Sequence, residues 1–132
     1  MKYRLFCCFF ALSLMSSSDL IFAHENTGWK VPEEAKKRRN PVGVTKESLQ
    51  KGKEIYEKKC ASCHGDKGDG KGPLSKGLNP KPTNFKESHG KKMTDGEHFW
   101  KITTGRDPMP SYGKDLTEED RWHVINYINM LR

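Results

Sequence analysis

The sequence predicts an all-α domain of three main helices and long loops, folded around a body that its own side chains do not supply. Three stretches carry helix caps and helical apolar spacing, and no stretch shows a convincing strand pattern. The apolar residues are also badly distributed. Of the 132 residues, the first 23 hold 16 of the hydrophobic ones. The other 109 contain only 15 Leu, Ile, Val and Phe, about 14%. That is below the roughly 20% under which chains tend towards disorder. A chain of this size and composition needs a supplement to its core: disulfides, a metal, a partner or a large cofactor.

Residues 1–23 read as a cleaved secretory leader. Lys2 and Arg4 form a positive end, Leu5 to Met15 is apolar, and Ala23 is the expected cleavage position. The apolar run is shorter than the roughly 20 residues of a membrane span. The expected location is therefore outside the cytoplasm, in the periplasm. Cys7 and Cys8 leave with the leader, so Cys60 and Cys63 remain. A bridge between residues three apart closes almost no loop, which removes the disulfide-scaffold class.

Residues 24–44 read as a polar, extended arm with Pro32, Pro41 and the basic run Lys36-Lys37-Arg38-Arg39, anchored by Trp29 and Val31. The domain itself is expected over 45–132. Its first helix starts at Thr45 and runs to about Lys59, with Leu49, Gly52, Ile55 and Tyr56 on one face. The second opens with Thr94-Asp95-Gly96-Glu97, which has the form of a capping box, and stops at Gly105. The third opens at Thr117 with three acids in its first turn. Val124, Tyr127, Ile128 and Leu131 form its apolar stripe, with Trp122 and Ile125 beside them. A Gly/Pro/Lys-rich loop fills 65–92.

Residues 60–64 read Cys-Ala-Ser-Cys-His, the C-x-x-C-H pattern of covalent haem c attachment. Two sulfurs one helical turn apart each reach a vinyl group of the porphyrin, and His64 then points at the iron. A thiol–disulfide pair would want a βαβ setting, and a zinc site would want further ligands nearby; His89, His98 and His123 are scattered along the chain. Gly65 to Gly72 nearly matches a phosphate-binding loop but carries Gly72 in place of the required hydroxyl, and it lacks the acid spacing of a calcium loop. A single covalent haem c also answers the composition problem.

The sixth iron ligand is sought among Met93, Met109 and Met130, with a His or an open site as the other outcomes. Met109 is the leading candidate. Pro108 and Pro110 stiffen its path and keep it out of a helix, and a rigid loop presenting one thioether suits an axial ligand. Met93 directly precedes a helix cap, where a staple role is the simpler reading. An iron-bound His usually donates its other N–H to a carbonyl. Pro73 is the first candidate for that carbonyl, with Pro80 and Pro82 as competitors. Trp100, Arg106 and Tyr112 are candidates for the haem propionates.

Cys60 to Gly65, with Gly52 and Tyr56 before and Met109-Pro110, Trp122 and Tyr127-Ile128 after, resembles a class I (monohaem) cytochrome c of the short bacterial type. The resemblance covers 45–132, and Asn79 to Phe85 resembles the family's haem-edge loop. It implies that the first and last helices cross at Gly52, with Tyr56 and Tyr127 packed beside the crossing. Two strong axial ligands leave no open site on iron, so the expected function is a soluble one-electron carrier, not an enzyme. The alternatives are a haem c subunit of a larger oxidoreductase, or a haem enzyme or gas-binding protein with Met109 unbound. After loss of the leader, 22 Lys and Arg stand against 16 Asp and Glu. The expected partners are redox proteins with an acidic docking face, with weak contact to anionic membrane as a further expectation. Nucleic acid is not expected, and the chain is expected to be a monomer.

Overall fold

The computed structural model describes residues 28–132; the leader expected over 1–23 lies outside the described residues. Six α-helices follow in order: α1 (Glu33–Lys36), α2 (Lys46–Lys59), α3 (Ala61–His64), α4 (Ser88–Lys92), α5 (Asp95–Thr104) and α6 (Glu118–Leu131). A 3-10 turn occupies Ser75–Gly77. The described residues contain no named strand, and none of their helices is long and apolar enough to cross a membrane.

The three main helices start where their caps require. Thr45 accepts from the Ser48 N–H at α2. Thr94 and Thr117 form reciprocal capping boxes with Glu97 and Asp120, which satisfies the first free N–H groups of α5 and α6. Gly105, at φ +61°, ends α5 in a backbone conformation few side chains adopt.

The α2–α6 pair is the frame. A Cβ placed on Gly52 would lie 2.1 Å from the His123 carbonyl oxygen, so only glycine lets the helices approach this closely. The Tyr56 and Tyr127 rings meet beside the crossing at 5.3 Å. Ser48, Gly52 and Tyr56 are the buried residues of α2, where Leu49 was expected in place of Ser48. The reason is polar: the Ser48 hydroxyl lies 2.8 Å from His123 Nδ1 and accepts from Asn126 Nδ2 at 2.9 Å. α6 is buried continuously from Arg121 to Ile128, because α2, α5 and the segment ahead of α2 cover it on several sides.

That segment is not simply extended. It forms α1, which packs on α5 at Gly96, where a Cβ would strike the Ala35 carbonyl. Asn40 donates to the Trp122 carbonyl and to Asn126 Oδ1, and Thr94 donates to the Lys36 carbonyl. The Arg38 guanidinium lies 4.3 Å from the centre of Phe99, which also stacks on Trp122 at 4.1 Å. Val31 is buried, as an anchor should be.

Candidate haem site

An open cavity lies between these elements. Cys60, Cys63, His64 and Met109 all line it, so the four residues singled out in the sequence come together. Ile102, Leu78, Phe85, Ile128 and the prolines 80, 82, 108 and 110 give it an apolar lining.

The motif is held from both sides. Cys60 is the C-cap of α2 and the N-cap of α3, so the short helix carrying Cys63 and His64 continues directly from the frame. The buried Tyr56 hydroxyl donates to the Gly65 carbonyl at 2.7 Å and pins the far end. The chain then doubles back along the motif: the N–H groups of Gly70, Gly72 and Leu74 donate to the carbonyls of His64, Cys63 and Ser62.

This return path corrects the expected partner of His64. Pro73 runs beside the motif's own backbone, and His64 Nδ1 instead donates to the Thr83 carbonyl at 3.2 Å, one residue past Pro82. A carbonyl only accepts, so the proton is on Nδ1 and the Nε2 lone pair is left for a metal. Phe85 stacks on the ring at 5.0 Å and 12°, which fixes its plane. Burial lowers the His64 pKa against the opposing pull of the Thr83 bond, which favours the neutral, ligating form. Burial, aided by Cys63, pushes the Cys60 thiol up to about 12. That is the wrong direction for the attacking thiolate of a disulfide exchanger.

Met109 lies in a tight turn closed by two backbone bonds with Arg106, at 2.7 and 2.9 Å. Its loop is fastened to the end of α5 by Tyr112 N–H on the Ile102 carbonyl and Gly113 N–H on the Thr103 carbonyl. Met93 lines the cavity too, but its sulfur accepts from Lys101 Nζ at 3.1 Å. Met130 is exposed and away from the cavity.

Of the expected propionate groups, Arg106 and Tyr112 line the cavity, with the Tyr112 hydroxyl donating to the Lys59 carbonyl at the Cys60 end. Trp100 packs edge-on against Trp29 outside the lining. The sequence reading missed His98, which is 3% exposed, faces Phe85 edge-on at 5.7 Å and has no hydrogen-bond partner for Nε2 among the described residues. Its position on α5, one turn before the buried Ile102, is the signal that was available. His89 also reaches the cavity, yet no group of three His, Cys, Asp or Glu that could hold a bare metal ion occurs among the described residues.

The residues fit haem: a broad apolar slot, two adjacent thiols, a neutral imidazole with its lone pair free, thioethers, and a buried polar atom awaiting a partner. The family described as cytochrome c oxidase, cbb3-type, subunit III matches residues 47–128. The chain belongs to this family of c-type cytochromes. Among solved structures, a chain of the Kuenenia stuttgartiensis reducing HAO-like protein complex is 32% identical, with a TM-score of 0.59. The match covers 69% of this chain and 46% of that one. Cytochrome cL from the marine methylotroph Methylophaga aminisulfidivorans is 24% identical, with a TM-score of 0.50, over 66% of this chain and 57% of that one. It supports the cytochrome c fold. The chain thus spans about half the length of these solved chains. No curated protein matches it. Family and fold together make this cytochrome an electron-transfer protein of the haem c class.

Proposed function

We propose that this cytochrome is an exported, soluble one-electron carrier with one haem c, held by thioethers from Cys60 and Cys63 and ligated by His64 and Met109. The observation that carries the reading is the convergence of these four residues on one cavity, with His64 Nε2 left free by the Nδ1 bond to Thr83. The haem supplies an iron that passes between Fe(III) and Fe(II). His64 is held in one tautomer and one plane by Thr83 and Phe85. Met109 presents a neutral thioether, which favours Fe(II), from a turn that is already closed. Leu78, Ile102 and Ile128 keep water from the cavity wall.

Exposed Lys59 and Lys81 border the cavity, and Lys67, Lys71, Lys76 and Lys86 extend the positive surface. This supports docking on an acidic face of a redox protein, where charge acts mainly on the rate of encounter. The apolar leader supports export to the periplasm.

The deciding experiment is intact mass and spectroscopy of the purified protein. The mass of residues 24–132 plus one haem, retained under denaturing conditions, is expected. Met109→Ala should convert low-spin iron to a high-spin form that binds carbon monoxide. An unchanged spectrum would move the ligand to Met93 or His98. A second reading, a subunit of a larger oxidoreductase, draws on the family description and on the complex containing the 32% identical chain. Elution of the native protein as a monomer favours the carrier; stable co-purification with a redox enzyme favours the subunit.

A further inference from the structure

The plane of an iron-bound imidazole decides which porphyrin orbitals it meets, so the groups that hold that plane tune the iron without touching it. At His64 the tautomer is held by Thr83, and the plane by Phe85, whose ring lies 5.0 Å away at 12°. Phe85 is buried and its backbone is fixed. Its N–H donates to the Gly68 carbonyl at 2.8 Å, and a Cβ on Gly90 would lie 2.6 Å from its Cα. A fixed backbone still leaves a phenyl ring able to turn about its side-chain bonds. His98 meets that ring edge-on, at 5.7 Å and 70°, and opposes the turn.

His98 brings no charge to this arrangement. It is 3% exposed, and burial holds its pKa well below the ordinary His value, so the ring is neutral. Its Nε2 has no hydrogen-bond partner among the described residues. What it contributes to the series His64–Phe85–His98 is a flat, closely packed ring. It stands on α5 one turn before Ile102, and the carbonyls of Ile102 and Thr103 hold the loop that carries Met109. One helix is therefore tied to both candidate ligands, to His64 through ring contacts and to Met109 through two backbone bonds.

We propose that His98 is a positioning residue for His64, acting through Phe85, and that α5 thereby governs the orientation of both iron ligands. The proposal rests on the covalent haem reading. His98 braces the Phe85 ring, and Phe85 keeps the His64 imidazole in one plane.

The test uses the holoprotein. Mass first establishes covalent haem in the wild type and in every variant; its absence from the wild type would defeat the haem reading itself. Proton magnetic resonance of the oxidised protein then follows the haem methyl shifts, whose spread reports the plane of the axial imidazole. His98→Ala should change that spread, and Phe85→Leu should change it further. The double variant should match Phe85→Leu alone, because His98 acts through Phe85. His98→Phe restores a flat ring and should recover most of the wild-type pattern. His98→Gln is polar without a ring and should not. Gly52→Ala loosens the α2–α6 crossing instead and should leave the pattern in place, which separates positioning from general destabilisation. If His98→Ala fails to fold, His98→Gln decides. The proposal is overturned if haem-loaded His98→Ala or His98→Gln keeps the wild-type shifts, if the double variant adds the two changes, or if Gly52→Ala moves the shifts as far. A pattern kept by His98→Gln and lost in His98→Phe would assign the effect to Nε2 and overturn it equally.

Discussion

Replacing Gly52 by alanine sets two effects of opposite sign against each other. In an open helix the change stabilises by about 0.8–1 kcal/mol through helix propensity. At Gly52 the new methyl would lie 2.1 Å from the His123 carbonyl oxygen and 3.0 Å from Tyr127 Cβ. A relaxed carbon–oxygen contact is about 3.3 Å, so α6 would have to withdraw by about 1.2 Å. A gap of 0.5–1 Å already forfeits about a quarter to a half of each dispersion contact. The Tyr56–Tyr127 pair and the Ser48–His123–Asn126 bonds lie on that interface. Overpacking of this kind costs about 1–3 kcal/mol, and here the obstacle is backbone, which yields least. The clash therefore wins, with a net loss of about 1–2 kcal/mol. At a urea slope of about 1–2 kcal/mol/M, the unfolding midpoint of the holoprotein, followed by far-ultraviolet circular dichroism, should fall by about 1 M. Gly77→Ala is the control, because its Cβ would meet nothing within 4 Å. A Gly52→Ala midpoint equal to or above the wild type would refute the reasoning, because the helices would then not be in contact at that residue.

Tyr56→Phe leaves the buried Gly65 carbonyl without its partner and should cost about 1–3 kcal/mol in the same assay; a neutral result would show that the hydroxyl does not pin the motif. His98 is held well below the ordinary His value of 6.5, first by burial and then by the positive charges of Arg132 and Lys101. The folded state thus keeps it neutral while the unfolded chain takes up a proton. Its contribution is fully present above pH 6.5 and shrinks as pH falls below that value, so urea midpoints of the wild type should drop between pH 7.5 and 5.5 more than those of His98→Leu. Equal drops would remove His98 from the account. The Cys60→Ala, Cys63→Ala chain without haem should show no cooperative thermal transition, and a sharp one would contradict the dependence of the core on the cofactor. Electron transfer to an anionic small oxidant should slow as salt rises and to a cationic one should quicken; flat responses to both would reduce the lysines to solvation.

The parts of this structure written in local chemistry were legible in the sequence. Thr45, Thr94 and Thr117 announce the three main helices because a cap acts within one turn, and Cys60 to His64 announce haem because the spacing is itself the geometry. The parts decided by distant segments were not. The carbonyl that holds His64 comes from Thr83, nineteen residues on, after a loop whose return is fixed by hydrogen bonds to the motif's own backbone. Ser48 displaces Leu49 from the buried face because His123 and Asn126, far along the chain, accept and donate to it. Residues 24–44 read as a polar, extended arm, yet Lys36 and Asn40 within it are bonded to Thr94, Trp122 and Asn126, partners that no local pattern reveals.

One phenol spans the site. The Tyr112 hydroxyl joins the loop that carries Met109 to the carbonyl of Lys59, the residue before Cys60, while the Tyr112 N–H is tied to α5 at Ile102. Tyr112 thus works as a strut with one foot on each jaw of the cavity. In the proposed carrier, such a strut would help hold the two jaws at one width through a change of valence. Little of the activation barrier would then go into moving the protein. A carrier gains speed most directly from this stiffness, and the same strut would make the loop slow to let the methionine swing away and admit a foreign ligand.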